Sequence, residues 1–159
     1  NNFLSKIGAD VPVCYYGHNC LATGIGDKIN TDIDFPKYYF VLVNPKIQLS
    51  TSVMYHKIKE YLKLDTYYIK QISNLKNLHK YDNDNDFEKI VRNENKQILN
   101  LLDFLSNFKN SVFSRMTGSG ACCYVAFEKK KNAKKAFDTI AKKYSDYWTY
   151  LAENNTINN

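Results

Sequence analysis

Between Val112 and Tyr144 the sequence spells out, without interruption, an apolar strand, a glycine turn, a second apolar strand and an amphipathic helix. Val112 to Met116 and Ala121 to Phe127 have strand length and composition, and Thr117-Gly118-Ser119-Gly120 separates them. Asn132 opens the helix, whose Ala133, Ala136, Phe137, Ile140, Ala141 and Tyr144 recur at i, i+3, i+4 and i+7. Lys134, Lys135, Lys142 and Lys143 fall on the opposite side. A hairpin followed by a helix with one apolar face calls for a layered arrangement in which the helix covers a sheet.

The rest of the chain extends this pattern. Tyr38 to Val43 is a continuous apolar run ended by Asn44-Pro45, and it predicts a central strand buried on both faces. Ser50-Thr51 predicts the cap of a helix carrying Met54, Ile58, Tyr61 and Leu62 inward. Residues 63 to 86 read as a short helix or irregular segment and then a polar loop. From Phe87 to Phe108 helical spacing holds with Glu94 as the exception and Asp86 as the cap, and Tyr147 to Ala152 predicts a last strand. Near the start, Val11 to Tyr16 and Cys20 to Ile25 predict two short strands joined by a turn at Gly17-His18-Asn19. From Tyr38 onward the order is strand, helix, helix, strand, strand, helix, strand. A ferredoxin-like α+β fold, an antiparallel sheet with helices on one face, accommodates it.

Charge and cysteine content narrow the partners. The chain has 22 Lys and Arg against 16 Asp and Glu, a net +6. Seven lysines against two acids lie between Glu128 and Lys143, which reads first as a solvated helix face and second as a phosphate-attracting one. Cys14, Cys20, Cys122 and Cys123 have no Cys-x-x-Cys or histidine spacing of metal type, so no metal site is expected and a reducing cytoplasm is the expected compartment. No apolar stretch reaches the roughly 18 to 20 residues that cross a bilayer, so no membrane partner is expected. The chain opens Asn1-Asn2-Phe3 rather than on Met, which reads as processing or as a fragment.

Glycine is scarce, and four of the six glycines form two Gly-x-Gly pairs, at 24 and 26 and at 118 and 120. The second pair, flanked by the hydroxyls of Thr117 and Ser119, can turn successive N–H groups towards one point and form a nest for phosphate oxygens; a plain hairpin turn explains the same residues. Neither a Walker loop nor a dinucleotide fingerprint is present. Asp10 precedes the apolar run at Val11, where it could serve as a base, a metal ligand, or simply a cap or turn residue. His18, His56 and His79 are widely separated and read as surface or turn residues.

Taken together, Ile7-Gly8-Ala9-Asp10-Val11-Pro12, Gly17-His18, Gly24-Ile25-Gly26, Val43-Asn44-Pro45, Ser50-Thr51 and Arg115-Met116-Thr117-Gly118-Ser119-Gly120-Ala121-Cys122 resemble the GHMP kinase superfamily in order and spacing. The likeness runs from about Leu4 to Tyr150. It implies ATP and Mg²⁺ as cofactors and transfer of a phosphoryl group to the 2-hydroxyl of a cytidine-diphosphate methylerythritol, a step of non-mevalonate isoprenoid synthesis. By the resemblance, Asp10 is the catalytic carboxylate that accepts or orients the hydroxyl proton. Thr117, Gly118, Ser119 and Gly120 form the loop around the phosphates, Thr51 places a hydroxyl near the transferred group, and Tyr55 stacks on the cytosine ring.

The family's amino-terminal segments, an early Lys and a Gly-Leu-Gly-Gly-Ser-Ser-type loop before a helix, have no counterpart in the sequence. The resemblance therefore implies the C-terminal half of a kinase. Residues 1–35 would end the first domain, residues 36–159 would form the second, and an N-terminal half would be required for ATP binding and turnover. Two other readings remain. Gly120 to Phe127 followed by a basic helix faintly resembles an RNA-recognition strand, with Tyr124, Val125 and Phe127 in place but no basic first residue and no first aromatic, so nucleic acid is not the expected partner. A catalytically silent regulatory domain of the same fold would tolerate loss of Asp10 and the loop glycines.

Overall fold

A computed structural model describes residues 3–17, 19–31, 35–58 and 85–154 of the chain. Contacts divide it after Lys37 into two compact units. The first holds the residues up to Lys37 together with Asn154, and the second holds the described residues from Tyr38 to Glu153.

In the first unit, α1 (Leu4–Ile7) and α2 (Val11–Tyr16) precede a two-stranded antiparallel ribbon of β1 (Leu21–Thr23) and β2 (Lys28–Asn30). Val11 to Tyr16 is thus a helix, not the strand its apolar run predicts. A six-residue apolar run fits either state, and the punctuation decides. Pro12 sits in the first turn, where its missing N–H is no loss, and Gly17 closes the helix in the left-handed region at φ 67°. Gly24 to Asp27 make the hairpin turn, with the Gly26 N–H donating to the Thr23 carbonyl. Asn154 donates to the Pro36 carbonyl at 3.0 Å. His18 lies outside the described residues.

The second unit is built on a four-stranded antiparallel sheet of β3 (Tyr39–Asn44), β4 (Phe113–Met116), β5 (Cys123–Phe127) and β6 (Trp148–Glu153), in the spatial order β4-β5-β3-β6. That order, with the long connections helical, is the expected ferredoxin-like α+β topology. The register sets Val41 opposite Val125 and Leu151, and Val43 opposite Cys123. These residues form one face of the sheet.

Helices α5 (Lys96–Ser106) and α6 (Lys130–Lys143) cover that face; α3 (Thr51–Lys57) and α4 (Asp86–Glu94) complete the unit. The core is Val41, Val43, Val125 and Phe127 of the sheet, Ile98, Leu101, Leu102 and Leu105 of α5, and Ala133, Ala136 and Ile140 of α6. Each fully buried Leu or Ile contributes about 1.5–3 kcal/mol. The opposite face of β3 is only half-buried at Phe40 and Leu42, which corrects the expectation of a strand buried on both sides: the helices cover one face alone. There the Tyr124 ring packs edge-on to Phe40 and Phe113, while Trp148 and Tyr150 stack at 5.8 Å on edge strand β6.

Three boundaries differ from the sequence reading. The helix expected over Phe87 to Phe108 is two helices, because Asn95 leaves helical geometry (ψ 98°) and its side chain caps α5 by accepting from the Gln97 and Ile98 N–H groups. Glu94, the exception in the apolar spacing, marks the break. Asn85, not Asp86, is the cap of α4, accepting from the Phe87 N–H. The last long helix starts at Lys130, two residues before Asn132, with no side-chain cap. Tyr61, Leu62 and the predicted polar loop up to residue 84 lie outside the described residues.

Candidate functional site

The site candidates of the second unit gather around the turn between β4 and β5. The Thr117 N–H donates to the Cys122 carbonyl at 2.8 Å and the Gly120 N–H to the Thr117 carbonyl at 3.0 Å. Residues 117–120 are therefore a closed turn. Gly118 takes φ 54° at its first central position, which side chains rarely adopt. Among the described residues the N–H groups of Gly118 and Ser119 have no intramolecular partner, and a Cβ on Gly118 would meet nothing within 4 Å. Gly120 is the opposite case: at φ 89°, a Cβ there would come within 2.7 Å of Leu49 Cδ1 and 2.8 Å of Met116 Sδ. One glycine keeps the loop open outward; the other lets it lie on the core.

Helix α3 reaches this loop. Ser50 caps it, its hydroxyl accepting from the Val53 N–H, and Met54 is buried beneath. Thr51 Oγ1 and Ser119 Oγ share a hydrogen bond of 2.8 Å across 68 residues of sequence. One turn on from Thr51, Tyr55 is half exposed at 51%, and its ring stands edge-on to Phe87 of α4 at 5.0 Å. It lies beside the buried stripe, with an open ring surface. His56 is exposed on the same helix, its Nδ1 2.7 Å from the Ser52 carbonyl; His79 lies outside the described residues.

Helix α4 supplies two residues that local pattern reading does not find. Asn85 donates through Nδ2 to the Met116 carbonyl at 3.0 Å and to the Gly118 carbonyl at 2.8 Å, while its Oδ1 caps the helix. Glu88, 7% exposed, accepts from the Met116 N–H at 2.7 Å and from Arg92 Nε at 2.9 Å. Arg92 also donates to Asp103 at 3.0 Å. Burial works against the Arg92 charge, but the hydrogen bonds it donates to the Glu88 and Asp103 carboxylates, with their negative charge, outweigh it and hold the guanidinium pKa above its usual value. Asn85, Glu88, Lys89, Arg92 and Arg115 line a cavity of about 230 Å³ beside this network. The Asn85-x-x-Glu88 spacing is the signature of a capping box, and that signal could have placed the helix start. It could not have shown that the carboxylate turns to the Met116 N–H instead of back to the N–H of Asn85.

Asp10 belongs to the first unit. It is exposed at the start of α2, where its carbonyl accepts the Cys14 N–H and its side chain makes no capping bond. The expected strand there is a helix, so a rigid helical start rather than a strand holds the carboxylate. Of the cysteines, all free, Cys14 is exposed and Cys123 is buried in the core. Burial pushes the Cys122 thiol up and the Cys123 thiol up to about 12, so both stay protonated and unreactive at neutral pH. Among the described residues no three His, Cys, Asp or Glu side chains gather to hold a metal ion, and no helix is long and apolar enough to cross a membrane.

Residues 67–146 match the family described as GHMP kinases C terminal. The 4-diphosphocytidyl-2-C-methyl-D-erythritol kinase of Wigglesworthia glossinidia brevipalpis is 33% identical over 146 residues, covering 89% of this chain and 43% of that protein. The enzyme of the same name from Neisseria gonorrhoeae is 32% identical over 150 residues, covering 94% and 49%. The chain thus spans less than half the length of these relatives. A crystal structure of 4-(cytidine 5'-diphospho)-2C-methyl-D-erythritol kinase superposes with a TM-score of 0.68 at 17% identity, covering 96% of this chain and 56% of that one. The homoserine kinase of Cytophaga hutchinsonii superposes at 0.55 with 14% identity, over 92% and 50%. At these identities the two structures establish the shared fold.

Proposed function

The chain belongs to the GHMP kinase C-terminal family, and from that premise we propose that it forms the C-terminal half of an ATP-dependent kinase acting on the 2-hydroxyl of 4-diphosphocytidyl-2-C-methyl-D-erythritol. Residues 1–35 end the first domain of that kinase and residues 36–159 form the second, a reading supported by the division of contacts after Lys37. The observation that carries the proposal is the hydrogen bond between Thr51 and Ser119 beside the unpartnered Gly118 and Ser119 amides. With one hydroxyl proton spent on that bond, the other hydroxyl and two N–H groups remain as the donor set of a phosphate site.

In this reading the loop holds the phosphates, and its fixed donors face the charge that builds on the transferring group. Thr51 orients the Ser119 hydroxyl within that cradle. Tyr55 offers its ring to the cytosine, a stack worth roughly 1–3 kcal/mol. Asp10 accepts the proton from the attacking hydroxyl. The described residues offer hydroxyls and amides rather than a carboxylate cage, so Mg²⁺ would be held mainly by the nucleotide's phosphate oxygens, where it balances their charge. The rest of the kinase completes the ATP site. The free thiols and the metabolite chemistry suit a reducing cytoplasm.

The test uses protein expressed from the complete reading frame, with ATP consumption followed in the presence of the cytidine substrate. Substrate-dependent transfer that falls at least about a hundredfold in Asp10→Ala is expected. No transfer by the unsubstituted protein, or an undiminished rate in the variant, overturns the assignment.

A further inference from the structure

The loop does not hold its own position; a different element does. The Thr117–Gly120 turn makes two backbone hydrogen bonds within the hairpin, and the carbonyl of Gly118 points to the side chain of Asn85, 33 residues earlier. The same amide group takes the Met116 carbonyl and caps α4, so one side chain ties three backbone groups of two elements together. Glu88, one turn along, takes the N–H of Met116, leaving both backbone polar groups of that residue bonded to α4. Arg92 bonds the other oxygen of the Glu88 carboxylate.

We propose that Asn85 and Glu88 are positioning residues of the kinase: they clamp the end of β4 and fix the Gly118–Ser119 peptide so that its N–H, the Ser119 amide, faces the transferred phosphate beside that of Gly118. The proposal deepens the kinase reading and rests on it. Neither residue touches the ligand. Their effect passes through the orientation of a peptide plane, which matters because a preorganised donor acts in the transition state only if it needs no rearrangement.

Asn85→Asp separates this role from a structural one. The aspartate keeps an oxygen for the Phe87 N–H and remains a good cap, but it has no N–H to give to Met116 or Gly118. Asn85→Ser also caps and is too short to reach Gly118; being uncharged, it decides the matter if the aspartate variant does not fold. Both are made in protein from the complete reading frame. The expected result is a kcat ten- to a hundredfold lower, with the KM for the cytidine substrate within about twofold and the melting temperature little changed. In protein labelled with ¹⁵N-glycine, the Gly118 and Gly120 amide signals shift and broaden, while those of Gly24 and Gly26 stay in place. Glu88→Gln keeps an acceptor for Met116 and should lower kcat less. An unchanged kcat in both Asn85 variants, or unmoved Gly118 and Gly120 signals, overturns the proposal. An unsubstituted protein without transfer overturns the kinase reading instead, and the clamp is then judged on the glycine signals alone.

Discussion

The two Gly-x-Gly turns share a spacing and a place between antiparallel strands, yet they are held in different ways. The turn at Gly24 and Gly26 is closed by a local hydrogen bond, Asp27 accepting from the Ile25 N–H at 3.2 Å, and it packs without a hydrogen bond on the backbone of Ala9, whose carbonyl oxygen would lie 2.6 Å from a Cβ on Gly26. The turn at Gly118 and Gly120 is held by residues from α3 and α4, through Thr51 and Asn85, and keeps two N–H groups without a partner among the described residues. Ile25, between the first pair, is 78% exposed and bonds only locally, whereas Ser119, between the second, is bonded across the fold. A glycine spacing therefore makes a turn; side-chain hydrogen bonds that reach it from elsewhere make it a candidate site.

Substitution at the glycines tests this most severely. In Gly26→Ala the new methyl meets a backbone carbonyl that cannot step aside, at φ 90°, and a loss of about 3 kcal/mol is expected from the left-handed penalty together with overpacking. Hydrogen exchange should locate that loss in β1 and β2 and leave the Gly118 and Gly120 amides unchanged; a response at both turns would break the contrast. In Gly120→Ala the methyl meets the ends of Leu49 and Met116, which can yield, so about 2 kcal/mol is expected in a denaturant melt. The loop would move with them, and under the proposed kinase function phosphoryl transfer should fall by about a hundredfold or more.

The thiols sharpen the same contrast between units. Cys123 in the folded chain is raised from its ordinary 9.0 to about 12 by burial, with a smaller contribution from neighbouring Cys122. Above pH 9 the unfolded chain therefore gives up this proton while the folded chain keeps it. Stability is full below pH 9 and falls as pH rises towards 12, by up to about 1.4 kcal/mol per pH unit. Urea melts from pH 8 to 11 should show the fall, and Cys123→Ala should make it shallower, leaving the part due to Cys122. At pH 7.5 a thiol reagent should modify exposed Cys14 promptly and Cys123 only on unfolding. The smallest effect is expected from Thr51→Val, which removes one hydrogen bond between exposed hydroxyls: about 1 kcal/mol or less in stability, against a roughly tenfold loss of transfer. Equal small losses in both would make the pair structural only.

What the sequence made readable was local. The helix of Lys130 to Lys143 keeps a period of 3.6 over a stretch long enough to leave little choice, and the glycine turn marks off the two apolar runs before it as strands. Val11 to Tyr16 reads as a strand because six apolar residues fit either state, and the deciding marks, Pro12 and Gly17, act only at the ends. Asn95 passed unnoticed within Phe87 to Phe108 because apolar spacing runs on across it while its side chain caps a new helix. Resemblance singles out Thr51, and resemblance with hydroxyl chemistry the glycine loop; the fold brings Thr51 and Ser119 within hydrogen-bond distance. Asn85 and Glu88 were not found as a clamp. Their partners lie 28 to 33 residues away, a separation that leaves no periodic trace.

The stacked pair on the edge strand has a practical consequence. Trp148 is the sole tryptophan of the chain, 47% exposed, its ring 7° from parallel with that of Tyr150. Its fluorescence is thus an intrinsic optical probe of one place, the seam where β6 zips onto β3 opposite Asn44. Unzipping that seam would register as a spectral change before the buried heart of the sheet dissolves.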